Sequence, residues 1–376
     1  MSRAMISAIH PMMPEPSHDE RAAQYFIRDF KMQLLEIGAI ERTVAQRVAA
    51  ATGDEGLALQ DRMMADDVYR SWTSLRRLSQ EMLWQRIADS VDRQLPALTA
   101  RASIAEPKGS VTVDPDFTAP AYLAEVDVHL MPGGYVSDRG GDDIRQGAIM
   151  DRGGAVYLLG RNGGLMNDGR GHAAISHVFH RAPEFAPTRT LDMGCGVGAS
   201  TVPVSRYFPH AEHVGIDVGG AILRYAHARA EHVGAAIHFV QADAEATGFP
   251  DAHFDLVYTC AVLHETSHEA VAKIVAEAHR ILRPGGIMVH LEVPARQDDG
   301  DPWSYLSAAF ESLYNNENWW HGATTIDHGA LVEAAGFRDV MVGYQLSTPA
   351  AQRGNDGFSQ VSSGAFACWF VVSGVK

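Results

Sequence analysis

The chain has 376 residues, 46% of them hydrophobic and 20% charged, with a formal net charge of -15. That is the balance of a soluble globular protein, long enough for one large domain or two ordinary ones with a sizeable core. The acidic excess argues against a nucleic-acid partner, because neutralising phosphates takes clustered Lys and Arg and no basic run occurs.

The three cysteines, Cys195, Cys260 and Cys368, make neither a disulfide framework nor a zinc-ligand spacing, so no metal site is expected and a reducing cytoplasm is. The N-terminus has no long apolar leader, and no run of about 18 apolar residues predicts a membrane span. Residues 1–18 read as a flexible arm, punctuated by Pro11, Pro14 and Pro16. Residues 19–105 carry helical periodicity, at Phe26, Phe30, Leu34, Ile37 and Ile40 and again at Val68, Trp72, Leu75, Leu78, Met82 and Ile87. The stretch Ala51–Gly56 breaks it. This is an N-terminal α-helical domain, expected as a cap or as a dimerisation module for a homodimer. Residues 106–172 are rich in Gly, Pro and Asp but keep aromatic content, the composition of an ordered linker or lid, with Ala155–Leu159 a short strand candidate.

From Ala173 onward, helix and strand alternate through short turns. Strands are predicted at Thr190–Met193, Val214–Ile216, Ile237–Val240, Phe254–Thr259, Ile287–Val293, Phe337–Tyr344 and Phe366–Val372. The alternation predicts an α/β fold, a doubly wound Rossmann-like mixed seven-stranded sheet over residues 173–376. The first strand ends in Gly194, Gly196 and Gly198, a helix follows, and the second strand ends in Asp217. This is the grammar of a nucleotide-type cofactor site.

The glycine turn alone serves two cofactors. Gly194-x-Gly196-x-x-Ala199 also satisfies the dinucleotide fingerprint, so an NAD(P)-dependent oxidoreductase stands as the alternative. Asp192, before the turn, is poor company for a pyrophosphate but suits an ammonium group. Asp243 follows the third strand, and Arg283-Pro284-Gly285-Gly286 precedes the fifth. With Gly215-Ile216-Asp217, Gln241-Ala242-Asp243-Ala244 and Phe254-Asp255-Leu256-Val257 leading to Ala261-Val262-Leu263-His264, the set resembles the class I S-adenosylmethionine-dependent methyltransferases, especially the quinone-biosynthesis and small-molecule branch. The resemblance implies S-adenosyl-L-methionine bound by Asp192, Gly194, Cys195, Gly196, Asp217, Val218, Asp243, Ala244 and Cys260, and methyl transfer to a small-molecule acceptor, by analogy to oxygen.

An acceptor that loses a proton needs a base. His264 is the first candidate, His321 the second, and Glu292 at the end of the fifth strand a third. The insertion 295–324 holds Trp303, Tyr305, Phe310, Tyr314, Trp319 and Trp320. It is read as an aromatic lid over the acceptor side, with packing of Tyr305–Tyr314 against the N-terminal domain as the competing expectation.

Overall fold

The computed structural model describes residues 9–37, 39–158, 160–294, 304–354 and 357–376. The N-terminal half is helical: α1 (His18–Glu36), α2 (Ala39–Thr52), α3 (Gly56–Met63) and α4 (Asp67–Ala102). Ser17 caps α1 in a reciprocal box with Glu20, and Asp66 caps α4 by accepting from the amides of Val68 and Tyr69. The break at 51–56 falls between α2 and α3, as the sequence predicts. The stretch read as an arm is docked from residue 9 onward. His10, Met12 and Met13 are buried, and the Met12 carbonyl accepts from Tyr225 Oη at 2.8 Å. Apolar methionines and a paired histidine explain the docking better than the three prolines explain an arm.

Next come β1 (Ser110–Thr112), α5 (Ala121–Ala124), α6 (Arg145–Tyr157) and α7 (Gly169–Arg181). Ala155–Leu159, a strand candidate in the sequence, instead begins in the last turn of α6, whose buried Ile149 and Val156 share a core with Leu83 and Trp84 of α4 and with Ile222 and Tyr225. The cofactor-type half then runs β2 (Arg189–Met193), α8 (Thr201–Tyr207), β3 (Glu212–Asp217), α9 (Gly220–His232), β4 (His238–Gln241), β5 (Phe254–Cys260), α10 (His268–Ile281), β6 (Leu282–Glu292), α11 (Ser304–Tyr314), α12 (Trp320–Ala323), α13 (His328–Ala334), β7 (Arg338–Leu346), β8 (Phe358–Ser359) and β9 (Cys368–Val375).

One sheet carries all nine strands in the order β1-β4-β3-β2-β5-β6-β9-β7-β8. The seven predicted strands form its interior, parallel from β4 to β6 and antiparallel through β9 and β7. The sequence missed only the two edges, β1 of three residues and β8 of two, too short for a period-2 signal. The expected turn at Arg283–Gly286 is absorbed into the start of β6, where the register with β5 shifts.

Helices cover both faces. On one, α10 buries Val271, Ile274, Val275, Ala278 and Ile281 against Leu191, Val257 and Met288. Each of the larger aliphatic side chains there contributes about 1.5–3 kcal/mol on leaving water. On the other, Ile175, Val178 and Phe179 of α7 pack over Leu256, Val289 and Val371. The order reverses between β2 and β5, which opens a crevice at the carboxyl ends of these strands, where parallel sheets bind ligands. Among the described residues, no helix is long and apolar enough to cross a membrane.

Candidate active site

Beyond Met193 the chain turns through Gly194, Gly196 and Gly198 at φ +77°, +52° and +72°, a region L side chains rarely adopt. A Cβ at Gly194 would lie 2.7 Å from Val262 Cγ2, and one at Gly196 2.9 Å from Met150 Cε. The turn is tied to β3 on both sides. The amides of Gly194 and Cys195 donate to the Ile216 carbonyl, at 2.8 and 2.9 Å. Asp217 accepts from Gly196 N at 2.9 Å and from Gly219 N at 3.0 Å. Burial raises the Asp217 pKa, and these N–H bonds oppose the rise. Asp192 is fully buried beneath the turn; Oδ2 accepts from Thr201 Oγ1 at 2.7 Å, and Oδ1 has no protein partner. Burial pushes its carboxyl up to about 7.

The turn opens onto a cavity of about 510 Å³. Eight of the nine residues expected to bind cofactor line it: Gly194, Cys195, Gly196, Asp217, Val218, Asp243, Ala244 and Cys260; Asp192 sits outside the lining. Burial raises the thiol pKa of Cys195 and Cys260, which suits spacers, not nucleophiles. Arg170 and Ser200 line the same end. They were missed because neither stands in a recognisable motif.

At the other end, His264 follows β5 with its ring on the cavity wall. Its Nδ1 is 2.6 Å from Glu292 Oε2, its Nε2 is 3.3 Å from Glu265 Oε1, and its ring meets Trp320 edge-on at 4.7 Å. Burial works against charge on this ring, but Glu292 and Glu265 outweigh it and hold the pKa at about 10. Glu292 also accepts from the amides of Val262 and Leu263, at 2.8 and 2.6 Å. It is outside the lining, so its place is behind His264, anchoring the whole turn. His321 is not brought to the cavity: α12 turns Trp320 inward instead, and the His321 amide donates to Ser312 Oγ.

The opposite wall comes from the 106–172 stretch and α4. Trp84, Met131, Tyr135, Met150, Tyr157 and His129 line it. His129 and Leu130 adopt φ of +58° and +59°, which costs about 1–3 kcal/mol at each non-glycine residue. Two bonds to the His129 carbonyl hold it there, from Trp84 Nε1 at 2.8 Å and Gln80 Nε2 at 3.0 Å. The ring bridges two buried carboxylates, Nε2 lying 2.8 Å from Glu265 Oε1 and Nδ1 2.7 Å from Glu317 Oε1. Burial opposes its charge, but Glu317 and Glu265 raise its pKa well above the usual range. Each nitrogen faces a different carboxylate, and the three side chains offer ligand atoms that all lie within 4.8 Å of one another. Tyr135 Oη donates to Glu265 at 3.1 Å. No periodicity in the sequence pairs His129 with Glu265 or Glu317, 136 and 188 positions away.

Of the described aromatics of the 295–324 insertion, Trp320 alone lines the cavity. Phe310 packs on Trp72, with the Arg76 guanidinium 3.5 Å over its ring, and Trp319 meets Tyr122 edge-on. The packing expectation therefore describes α11. Trp303 lies outside the described residues.

The family profile described as a methyltransferase domain matches residues 190–286, the span from β2 into β6. An uncharacterized methyltransferase of Synechocystis sp. is 34% identical over 164 residues, which cover 42% of this chain and 73% of the relative. The chain belongs to the class I S-adenosylmethionine-dependent methyltransferases. Demethylmenaquinone methyltransferase of Thermus thermophilus is 37% identical over 113 residues, 30% of this chain and 50% of that protein. Fatty-acid O-methyltransferase of Mycolicibacterium smegmatis is 33% identical over 112 residues, 29% and 39% of the two chains. The methyltransferase thus spans half or less of these two relatives. None of these matches supports the nicotinamide-dependent alternative. The site fits the family's cofactor on its own geometry: a bare glycine turn, an aspartate at the end of β3 on the cavity, and an unpartnered Asp192 oxygen below it.

Proposed function

We propose that this methyltransferase methylates a hydroxyl oxygen of a small, largely apolar acceptor held between the glycine turn and His264. One observation carries the reading. A single cavity runs from Gly194, Asp217 and Asp243 to His264, so donor and acceptor can meet without either crossing solvent. In this reading the glycine turn admits the cofactor's backbone-hugging portion, Asp217 accepts from its ribose hydroxyls, Asp243 and Ala244 meet the adenine, and the backbone at Cys260 meets the methionine end. Bound there, S-adenosylmethionine supplies a methyl group already activated on a sulfonium.

The chain's own work is then positioning, water exclusion and proton removal. Trp84, Tyr135, Tyr157 and Trp320 wall the acceptor end with rings. His264 takes the hydroxyl proton in its neutral form, and Glu292 fixes the ring orientation from behind. With the ring pKa at about 10, the neutral base is scarce at pH 7 but strong, so the rate climbs with pH toward that value. Oxygen as the accepting atom has a parallel in the fatty-acid O-methyltransferase relative.

Titration calorimetry with S-adenosylmethionine and, separately, NAD tests the donor. Saturable binding of the first alone is expected, and binding of NAD alone overturns the reading. Mass spectrometry of small-molecule extracts incubated with methyl-labelled cofactor tests the acceptor: label on carbon, nitrogen or sulfur and none on oxygen refutes O-methylation.

A further inference from the structure

Eight of the twelve large hydrophobic side chains exposed among the described residues fall on two helices that pack on each other, α1 and α4. Tyr25, Phe26, Leu35 and Ile37 belong to α1 and its end, and Val68, Leu75, Leu78 and Met82 to α4. Phe26 is 69% exposed, Leu75 42% and Leu78 47%. The helical periodicity of the sequence runs these α4 residues together with Trp72 and Ile87, but the fold separates them, burying only the latter two. Tyr69, Trp72, Leu83, Trp84, Ile87 and Val91 are among its buried residues. The outer residues follow their own spacing of seven, three and four, at 68, 75, 78 and 82, the a/d rhythm of a coiled-coil seam. A 36-residue helix with one apolar stripe satisfied and a second one bare has room for a partner helix.

Charge selects the partner. The whole chain carries -15, yet residues 18–102 hold 13 acidic and 12 basic side chains. Along the outer face of α4 the charges are already paired within the helix, as Arg70–Asp67, Arg77–Glu81 and Arg86–Asp89. Such a face offers no basic field to an anionic lipid surface and no net charge to an oppositely charged protein. It is the region where two copies of an acidic chain meet with least repulsion.

We propose that the bare stripe Val68–Leu75–Leu78–Met82 is a homodimer seam on which a second copy docks its own α4. A two-fold axis passing the Leu75–Leu78 turn sets the two helices antiparallel, so each seam is complementary to itself. The docking rests only on the surface of α4 and is independent of the donor and acceptor proposed above.

Sedimentation velocity on the full chain from about 1 to 100 μM tests it, with one chain at 40.8 kDa. A species of twice that mass is expected. Leu75→Asp with Leu78→Asp should return a monomer whose circular dichroism melt and cofactor affinity match the parent. Leu75→Lys alone should weaken the dimer at least tenfold, which separates loss of docking from loss of folding. Val361→Asp, on an exposed residue elsewhere, should leave the dimer intact. A parent chain that stays monomeric throughout, one that instead floats with phosphatidylglycerol vesicles, or a dimer that survives the paired aspartates overturns the proposal.

Discussion

Asp192→Asn gives a stability change whose sign depends on pH. The wild-type carboxyl has a folded pKa of about 7 against 3.8 for the free group, because its burial disfavours the anion. The folded state therefore binds the proton more tightly than the unfolded one. Stability is full below about pH 3.8 and falls as pH rises toward 7, where the loss levels off. At about 1.4 kcal/mol per unit, the charged carboxylate costs the fold about 4 kcal/mol above pH 7 and about 1.6 kcal/mol at pH 5. Asparagine abolishes that cost and keeps an oxygen for the Thr201 hydroxyl. Its NH2 group then occupies the position where Oδ1 has no protein partner, a penalty of about 1–3 kcal/mol. The variant should match wild type near pH 5 and exceed it by about 1–3 kcal/mol at pH 8. Urea denaturation at half-unit pH steps measures this directly, and calorimetry should show weakened S-adenosylmethionine binding in the same protein. A stability difference that is constant from pH 5 to 8 refutes a carboxyl with a raised pKa, and unaltered affinity refutes its role under the cofactor.

Asp217→Ala should weaken S-adenosylmethionine binding by about 1–3 kcal/mol in calorimetry, and lower the melting temperature, because the amides of Gly196 and Gly219 lose their acceptor. Glu292→Gln removes the carboxylate nearest His264, so the ring should titrate below about 10 by NMR and the rising limb of the rate should move to lower pH with it. His264→Gln should lower kcat by about 100-fold or more and flatten that limb, whereas a preserved limb assigns the proton to another group. Gly153→Ala would place a Cβ 1.9 Å from Trp84 Cζ3. It should cost about 1–3 kcal/mol in chemical denaturation and, by pushing Trp84 into the cavity, impair acceptor KM more than cofactor affinity.

The glycine-turn end of the cavity was legible in the sequence because its determinants are local. The turn at Gly194–Gly198 needs glycines within five residues of one another, and Asp217 lies at the end of the next strand. Seven interior strands announce themselves as apolar runs, since a strand buried on both faces has no polar side to confuse the period. His264 was legible for the same reason, following β5 directly.

The His264 end of the cavity was decided by tertiary structure. His129 is brought to Glu265 and Glu317 by the folding of the 106–172 stretch against the sheet, and no spacing encodes that meeting. Glu292 was found by position, but only the fold turns it behind His264 and away from the cavity. His321 and Trp320 are neighbours in sequence, and the rotation of one short helix chose the tryptophan. The α4 stripe makes the same point for packing: periodicity shows that a helix is amphipathic, while which stripe is buried depends on the neighbours it meets. Local chemistry therefore determined the glycine turn and the sheet from sequence alone, and contacts across hundreds of residues determined the far walls of the cavity and the face left bare.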